Sequence, residues 1–248
     1  MKALILAAGL GTRLRPLTDS RPKALVTIDG QTLLDITIGR LVAAGADDIV
    51  VNVHHFGEQI IEHIATHHYP VSVKVSDERT HLLDTGGGLR RAAALFAPTP
   101  DPILIHNVDI LHNADLRAFY AAGATADALL LVSRRETSRY LLFDKTGRLV
   151  GWTNIKTGAV RSPHPSLRPE CCQRYAFSGI HCVSPRLIDD MAGWPEAFPV
   201  MDFYLDACAR RDVRAFPVEG LRLLDVGKTA SLAAAHDFLL GADLSAQP

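Results

Sequence analysis

Residues 4–18 read LILAAGLGTRLRPLT, and this stretch decides the fold class. The three apolar residues at its start predict a buried strand, and the small residues that follow predict a loop rather than a continued strand. Glycine and alanine let a backbone approach a ligand closely, and successive N–H groups in such a loop can bind an anion. The stretch therefore indicates an α/β protein with an anion-binding loop after its first strand.

Composition narrows the class of protein further. The chain has 248 residues with 26 basic and 27 acidic side chains, so its formal charge of −1 excludes a broad basic surface and predicts no nucleic-acid partner. Hydrophobic residues make up 48% of the chain, which is typical of a packed domain. No apolar run reaches the length of a membrane span, so we expect no membrane partner. The four cysteines form no C-x-x-C pair, which favours the reducing cytoplasm.

Apolar runs alternate with amphipathic stretches through residues 1–134. The predicted strands are 4–6, 49–53, 71–75, 103–105 and 128–132, and the predicted helices are 32–44, 58–67, 89–96 and 116–122. Strands that alternate with helices are typical of a parallel sheet covered on both faces. This half is predicted to be a Rossmann-like doubly wound nucleotide-binding unit.

The pattern changes after residue 134. A hairpin is predicted over 140–152, an exposed loop over 157–174, and strands over 175–182 and 213–218. Helices are predicted over 185–191, 202–211 and 229–240. We expect one domain over 1–240, in which 135–240 is the half that binds a sugar phosphate, followed by a frayed tail over 241–248.

The first loop carries a specific signature. It lacks the third glycine of the dinucleotide fingerprint and the Lys-Ser/Thr of a P-loop. Its Gly-x-Gly-Thr-Arg-Leu-x-Pro-Leu-Thr run, followed by Pro22-Lys23, resembles the signature of the sugar-1-phosphate nucleotidyltransferases. The resemblance implies a mixed sheet of the nucleotide-diphospho-sugar transferase type and two catalytic residues: Arg13 would hold the departing pyrophosphate and Lys23 would contact phosphates around the reacting centre. The residues that it implies for nucleotide binding in this loop are Leu6, Ala7, Ala8, Gly9, Gly11 and Thr12.

A second motif, LLDTGGG over 82–88, precedes the third predicted helix. Three consecutive glycines indicate close approach to a ligand, although a flexible helix start is the structural alternative. The resemblance places Thr85, Gly86 and Gly87 near the base and ribose. It is strongest to the muramate-1-phosphate uridylyltransferase branch, where an acidic residue precedes the motif. Asp77 or Glu78 could occupy that place, and Asp77 is our candidate.

Two aspartates are the candidate metal ligands. Asp109 follows the strand over 103–105, at the sheet edge where open α/β folds bind ligands, and Asp225 lies in LLDVG over 223–227. The resemblance implies that both bind Mg²⁺, although Val108 stands where glycine is common and the aromatic residue expected before Asp225 is missing. Two carboxylates are enough, because Mg²⁺ keeps waters and takes substrate phosphates as its other ligands. The structural alternative is a pair of ordinary turn aspartates.

Four residues are the candidate contacts to the sugar phosphate. Gly179, in FSGI over 177–180, resembles the family's strand glycine that passes close to the sugar. Lys156 takes the place of a Glu-Lys-Pro element whose Glu and Pro are absent, and Asn107 and Asn154 complete the candidate set. Histidines 63 and 67 lie four apart on a predicted helix without an evident third ligand, so we assign them to a solvated face rather than to a metal.

The resemblance implies that a sugar 1-phosphate attacks a nucleoside triphosphate and releases pyrophosphate. We expect UTP and N-acetylmuramate 1-phosphate as substrates. The alternatives are guanylyl transfer to mannose or heptose 1-phosphate, cytidylyl transfer to phosphocholine, and a weakly catalytic paralogue that binds sugar nucleotides and regulates a partner. A monomer or small homo-oligomer is expected.

Overall fold

The computed structural model describes residues 1–243, which form fourteen strands and seven α-helices. The strands are β1 (Lys2–Leu6), β2 (Thr27–Ile28), β3 (Gln31–Thr32), β4 (Asp48–Val53), β5 (Ser72–Asp77), β6 (Ile103–Asn107), β7 (Ile110–His112), β8 (Ala128–Ser133), β9 (Arg139–Phe143), β10 (Leu149–Asn154), β11 (Ala159–Arg161), β12 (Gln173–Val183), β13 (Val213–Pro217) and β14 (Leu223–Asp225). The helices are α1 (Leu33–Ala43), α2 (Gly57–Thr66), α3 (Asp84–Ala93), α4 (Leu116–Gly123), α5 (Pro185–Asp189), α6 (Val200–Ala207) and α7 (Thr229–Asp243).

Ten strands form one mixed sheet. The order along it is β11-β10-β9-β12-β6-β1-β4-β5, with β8 paired to β12 and β13 paired to β8. Strands β6, β1, β4 and β5 are parallel, whereas β12 is antiparallel to both β6 and β8. The predicted mixed, doubly wound sheet is confirmed. The predicted boundary at residue 134 falls between β8 and β9, and β12 joins the second half to the first through β6.

The register of the parallel strands places the loop of the first motif. Leu6, the last residue of β1, lies opposite Asn52 of β4 and Asn107 of β6. The chain leaves these strands at one edge of the sheet, and in open α/β sheets ligands bind beyond the carboxyl ends of the strands. The first loop and the segment that follows β6, which carries Asp109, are therefore neighbours.

Two apolar cores, one on each face of the sheet, fix this arrangement. Helices α1, α2, α4 and α7 bury side chains in the first core, and α3, α5 and α6 bury theirs in the second. The central strands are buried on both faces, which is why β1, β4, β6 and β8 each contain at least three consecutive apolar residues instead of a strict alternation. Helix α1 begins after Thr32, whose hydroxyl accepts the N–H of Asp35 at 3.0 Å.

Several element boundaries differ from the sequence prediction. Helix α3 begins at Asp84 instead of 89, so the glycine run lies inside the helix and not before it. Helix α6 covers 200–207 instead of 202–211, and the predicted loop over 157–174 contains β11 and the first two residues of β12. The pairs β2–β3 and β7–β14 were not predicted.

The end of the chain also differs. Helix α7 continues to Asp243, so the first three residues of the predicted tail are helical, and the rest of that tail lies outside the described residues. Within residues 1–243, no helix combines the length and the apolar character that a membrane crossing requires.

Candidate active site

The loop after β1 opens into a cavity of about 240 Å³ at the carboxyl edge of the parallel strands. Four of its lining residues belong to the first loop, and Lys23 follows that loop. The others come from β4, from the start of α3 and from the end of β6. The lining residues are Leu6, Ala7, Ala8, Gly9, Lys23, Asn52, Leu82, Asp84, Thr85, Asn107, Val108 and Asp109. The structure thus brings together the first loop, the start of the LLDTGGG motif and the segment that carries Asp109.

The Asn52 side chain, on β4, anchors the backbone of the first loop through hydrogen bonds. Its buried side-chain oxygen accepts the backbone N–H groups of Ala7 at 2.7 Å and Ala8 at 3.2 Å. Its amide nitrogen donates to Glu78 Oε1 at 2.9 Å, and Leu83 N–H donates to Glu78 Oε2 at 3.3 Å. Glu78 is fully buried, and burial raises the pKa of its carboxyl. Sequence reasoning missed Asn52, because an asparagine inside an apolar strand was the only signal.

The loop reverses direction at Gly11, where a left-handed backbone is required. Gly11 has φ +63°, and a Cβ atom there would lie 3.1 Å from Thr18 Cγ2 and 3.2 Å from Lys23 Cβ. The buried Thr18 hydroxyl donates to the Gly11 carbonyl at 2.9 Å. A single turn of 3₁₀-helix, Thr12–Leu14, follows and carries Arg13. The second glycine of the motif is thus needed for backbone shape and close packing.

Lys23 and Asp109 form an ion pair at the cavity wall. Lys23 Nζ donates to Asp109 Oδ2, and the two side chains are only 11% and 17% exposed. Lys23 begins a 3₁₀ turn after Pro22, and Asp109 follows β6. Partial burial reduces screening by water, so the two charges attract each other strongly.

Asp225 is brought to Asp109 by backbone pairing. Asp225 lies opposite Ile110 in the β7–β14 pair, and Val226 N–H donates to the Asp109 carbonyl at 2.8 Å. Arg13 Nη2 lies 3.9 Å from Asp225 Oδ2, with both side chains about half exposed. A Cβ at Gly227 would lie 2.5 Å from Asp225 Oδ1 and 2.8 Å from Arg13 Nη2. The LLDVG segment over 223–227 therefore lies beside both the first loop and the turn that carries Asp109.

The two carboxylates suit a hard divalent cation. Mg²⁺ binds proteins through one or two carboxylates and otherwise keeps waters and phosphate oxygens. Asp109 and Asp225 come from backbone segments that are joined by the Val226–Asp109 hydrogen bond, and each also faces a basic side chain, Lys23 or Arg13. Their chemistry and placement fit Mg²⁺.

A buried histidine pair fixes the turn that carries Asp109. His112 Nδ1 accepts the Ala114 N–H at 3.0 Å, so its proton lies on Nε2 and is donated to His106 Nε2, also at 3.0 Å. His106 Nδ1 then donates to the Asn107 carbonyl at 2.7 Å. Burial lowers the pKa of His106 to about 4 and that of His112 to about 2, so both rings are neutral at pH 7. The chain of hydrogen bonds ties β6 to β7 across Asp109.

The glycines of the second motif pack against protein. A Cβ at Gly86 would lie 2.2 Å from the Phe198 ring, and one at Gly87 would lie 2.2 Å from the Glu196 carbonyl oxygen. The Gly86 N–H donates to the Phe198 carbonyl at 2.8 Å, and Thr85 Oγ1 accepts the Val200 N–H at 2.9 Å. The motif thus joins α3 to the segment before α6. Only Thr85 of its three predicted nucleotide contacts lines the described part of the cavity.

Asp77 and Glu78, the two acidic residues before this motif, have different partners. Asp77, the predicted contact, is bound by Arg79 through Nε at 2.9 Å and Nη2 at 2.7 Å, which lowers the pKa of its carboxyl to about 2. It is not among the described residues that line the cavity. Glu78 instead faces inward to Asn52. A nucleotide contact by Asp77 stays a prediction, whereas Asp84, which the sequence did not single out, lines the cavity with φ +57°.

The predicted sugar-phosphate contacts are only partly brought together. Gly179 has φ +81°, and a Cβ there would lie 2.7 Å from Asn107 Nδ2, so these two residues are in close contact. Asn154 Oδ1 accepts the Lys156 N–H at 3.0 Å in the turn after β10. Strand β9 lies between β10 and β12, the strand of Gly179. The turn with Asn154 and Lys156 is therefore separated from Gly179 by one strand.

His63 and His67 do have an acidic neighbour in the structure. His63 Nε2 donates to Asp35 Oδ1 at 2.9 Å, and Tyr69 OH and Thr32 Oγ1 each donate to Asp35 at 2.7 Å. Although burial alone would raise the pKa of Asp35, these hydrogen bonds lower it. Protein donors already satisfy the carboxylate, so we interpret this cluster as a structural link between α1 and α2.

The chain is similar to proteins of one reaction class. The model of the nucleotidyl transferase family matches residues 2–142. An N-acetylmuramate alpha-1-phosphate uridylyltransferase from Caulobacter vibrioides is 32% identical over 245 residues, which cover 94% of each chain. A mannose-1-phosphate guanyltransferase from Schizosaccharomyces pombe is 30% identical over 238 residues, which cover 92% of this chain but 61% of that protein.

Solved structures share the fold. HddC from Yersinia pseudotuberculosis, complexed with GMP-PN, superimposes with a TM-score of 0.74 at 21% identity and covers 96% of this chain and 99% of its own. A glucose-1-phosphate thymidylyltransferase described as putative, from Bacillus anthracis, gives a TM-score of 0.76 at 17% identity, covering 98% of this chain and 96% of its own.

Proposed function

The chain belongs to the nucleotidyl transferase family and transfers a nucleotidyl group to a sugar 1-phosphate, and we propose that its own substrates are UTP and N-acetylmuramate 1-phosphate. The observation that carries the proposal is that the first loop and the Lys23–Asp109 pair line one cavity, and that the Val226–Asp109 hydrogen bond joins the Arg13–Asp225 pair to it. Such a site can hold a triphosphate and its charge.

Sequence similarity supports this choice of substrates. The relative from Caulobacter vibrioides is matched over 94% of its length, and a second uridylyltransferase of the same name, from Neisseria meningitidis, is 40% identical over 130 residues. Guanylyl transfer to mannose 1-phosphate is the second candidate, because the fungal guanyltransferase is 30% identical.

The reaction needs charge neutralisation more than proton transfer. An oxygen of the sugar 1-phosphate attacks the α-phosphorus of UTP, and the bond from that phosphorus to pyrophosphate breaks. The attacking phosphate is already ionised at pH 7, so catalysis depends on positioning and on stabilising negative charge. In our proposal Lys23 contacts phosphates at the reacting centre and Arg13 holds the departing pyrophosphate. Since Asn52 occupies the N–H groups of Ala7 and Ala8, phosphate contacts are expected from the loop residues that follow them.

Asp109 and Asp225 would hold Mg²⁺ in this account. Bound there, Mg²⁺ would offset the repulsion between the two anionic substrates. Other candidate contacts remain as proposed from the sequence: Thr85, Gly86 and Gly87 for the nucleotide, and Asn107, Asn154, Lys156 and Gly179 for the sugar phosphate. The cytoplasm, where nucleoside triphosphates are made, is the proposed location, and a monomer or small homo-oligomer is the proposed state.

A screen of pyrophosphate release tests the proposal. The purified protein is given each of four nucleoside triphosphates with a panel of sugar 1-phosphates and Mg²⁺, and kcat/KM is measured for each pair. We expect UTP with N-acetylmuramate 1-phosphate to give the highest value. A maximum for GTP with mannose or heptose 1-phosphate would select the second candidate. Pyrophosphate release from no pair would leave a binding protein and refute the proposed activity.

A further inference from the structure

A second cavity lies at the same sheet edge, on the far side of β12. It has a volume of about 740 Å³ and is bounded by the residues that follow β8 and by the loop after β13. Its lining includes Arg134, Arg135, Tyr175 and Glu219. Two arginines against one glutamate give this cavity an excess of positive charge.

The two guanidinium groups are held in place by uncharged partners. Arg134 Cζ lies 5.7 Å from the centroid of the Tyr175 ring, and Arg135 Nη2 donates to the Phe177 carbonyl at 2.9 Å. Over residues 1–243, neither arginine makes an ion pair with a carboxylate, whereas Arg79, Arg161 and Arg211 each do. The planar fork of arginine matches a carboxylate with two parallel hydrogen bonds. The cavity therefore offers two carboxylate-binding groups whose positive charge the single glutamate in its lining does not balance.

This cavity is close to the site of transfer. Strands β8 and β6 are both antiparallel to β12, so their carboxyl ends lie at one edge, two strand spacings or roughly 10 Å apart. Phe177, which binds Arg135, is two residues from Gly179, which contacts Asn107 at the first cavity. This distance suits a hexose that carries its 1-phosphate at one end and a short substituent at the other.

We propose that Arg134 and Arg135 form a subsite for an acidic substituent of the sugar, a carboxylate separate from the 1-phosphate. The inference rests on the proposed transfer to a sugar 1-phosphate and specifies the substrate class as a sugar acid. N-acetylmuramate carries such a carboxylate on its lactyl ether, whereas mannose and N-acetylglucosamine carry none. The subsite would therefore give the enzyme its preference among sugars of similar size.

The test compares two sugars that differ only in that lactyl ether. We would measure kcat/KM at saturating UTP for N-acetylmuramate 1-phosphate and N-acetylglucosamine 1-phosphate, in the wild type and in Arg134→Gln, Arg135→Gln and the double variant. The wild type is expected to prefer the acidic sugar by about tenfold or more, the scale of one charged hydrogen bond. In the double variant, kcat/KM for N-acetylmuramate 1-phosphate should fall to the value for N-acetylglucosamine 1-phosphate, which itself should not change. Lysine at both positions should restore part of it, and the exposed Arg186→Gln should change neither value.

Two results would overturn the subsite. One is a wild type that shows no preference for the acidic sugar, and the other is a double variant in which both sugars lose kcat/KM equally. Calorimetric binding of the same two sugar phosphates to the same variants separates this inference from the proposed function. If no sugar supports turnover, the proposed function fails, and the difference in binding affinity still decides whether the arginines recognise the carboxylate.

Discussion

Asn52 illustrates how one side chain can set the geometry of a loop. Its oxygen accepts two N–H groups of the first loop and so fixes the loop backbone, whereas its nitrogen donates to the buried carboxylate of Glu78. A buried asparagine that makes these bonds cannot be replaced without leaving donors or acceptors unpaired.

Asn52→Ala should therefore lower both stability and activity. Loss of the acceptor leaves the Ala7 and Ala8 N–H groups unpaired, so the free energy of unfolding should fall by about 1–3 kcal/mol. The loop also loses its anchor, and kcat/KM for the nucleotide should fall by about tenfold, a scale typical of a mispositioned contact. Urea denaturation and pyrophosphate release measure the two effects. Asn52→Asp keeps the oxygen that accepts the two N–H groups, but it places a second carboxylate against Glu78. This variant should lose stability while keeping more activity than Asn52→Ala. Equal activity in the two variants would contradict the role of the Asn52 oxygen.

Single residues differ in how well the sequence reveals them. The family signature predicts that Lys23, Asp109 and Asp225 come together, and the structure places Lys23 and Asp109 at the cavity and Asp225 beside Arg13. Asn52 and Glu78 act on other protein groups rather than on a substrate, and their roles depend on a strand register that only the fold defines. Asp84 was overlooked because its left-handed backbone places it in the cavity, and a sequence does not show φ.

At the scale of elements, helix α3 shows tertiary packing overriding local propensity. Its first five residues include Gly86, Gly87 and Gly88, and glycine is a poor helix former; the sequence predicts a helix only from residue 89. The structure gives the reason for the run: the segment before α6 and the Asn52–Glu78 pair leave no room for a Cβ atom. The pairs β2–β3 and β7–β14 were missed because strands of two or three residues have no readable alternation.

Gly86→Ala should destabilise the protein although alanine is the better helix former. The added methyl group would lie 2.2 Å from the Phe198 ring and 2.8 Å from the Phe198 carbonyl oxygen. Relief of such a clash typically costs about 1–3 kcal/mol. Gly39→Ala is the matched control, because Gly39 is exposed on α1 with nothing within 4 Å of its added Cβ, and it should gain about 0.5–1 kcal/mol. Thermal and urea unfolding of both variants test the contrast; a stabilised Gly86→Ala would refute the packing argument.

At the scale of the whole molecule, buried neutral histidines couple stability to pH. Burial lowers the pKa of His106 to about 4, of His112 to about 2 and of His181 to about 3. Unfolded histidine titrates near pH 6.5. Below that pH the unfolded chain binds more protons than the folded protein, so stability falls as pH falls.

The free energy of unfolding should therefore decrease between pH 6.5 and pH 4. Each buried histidine contributes a slope of up to about 1.4 kcal/mol per pH unit. Glu78 acts in the opposite direction, since its raised pKa favours the folded state as the carboxyl is protonated, and it offsets part of the slope. Urea midpoints measured at pH 7 and pH 5 check the prediction. Equal midpoints would mean that these rings are not held neutral.

The most direct test of the account is the turnover of Lys23→Ala and Asp109→Ala, measured as pyrophosphate release from UTP and N-acetylmuramate 1-phosphate. The ion pair lies where the first loop meets β6, and its two charges are assigned to the reacting phosphates and to Mg²⁺. Each variant should lose about 100-fold or more in kcat while remaining folded, the scale of one lost charge contact in the transition state. Turnover close to that of the wild type in either folded variant would contradict the assigned active site.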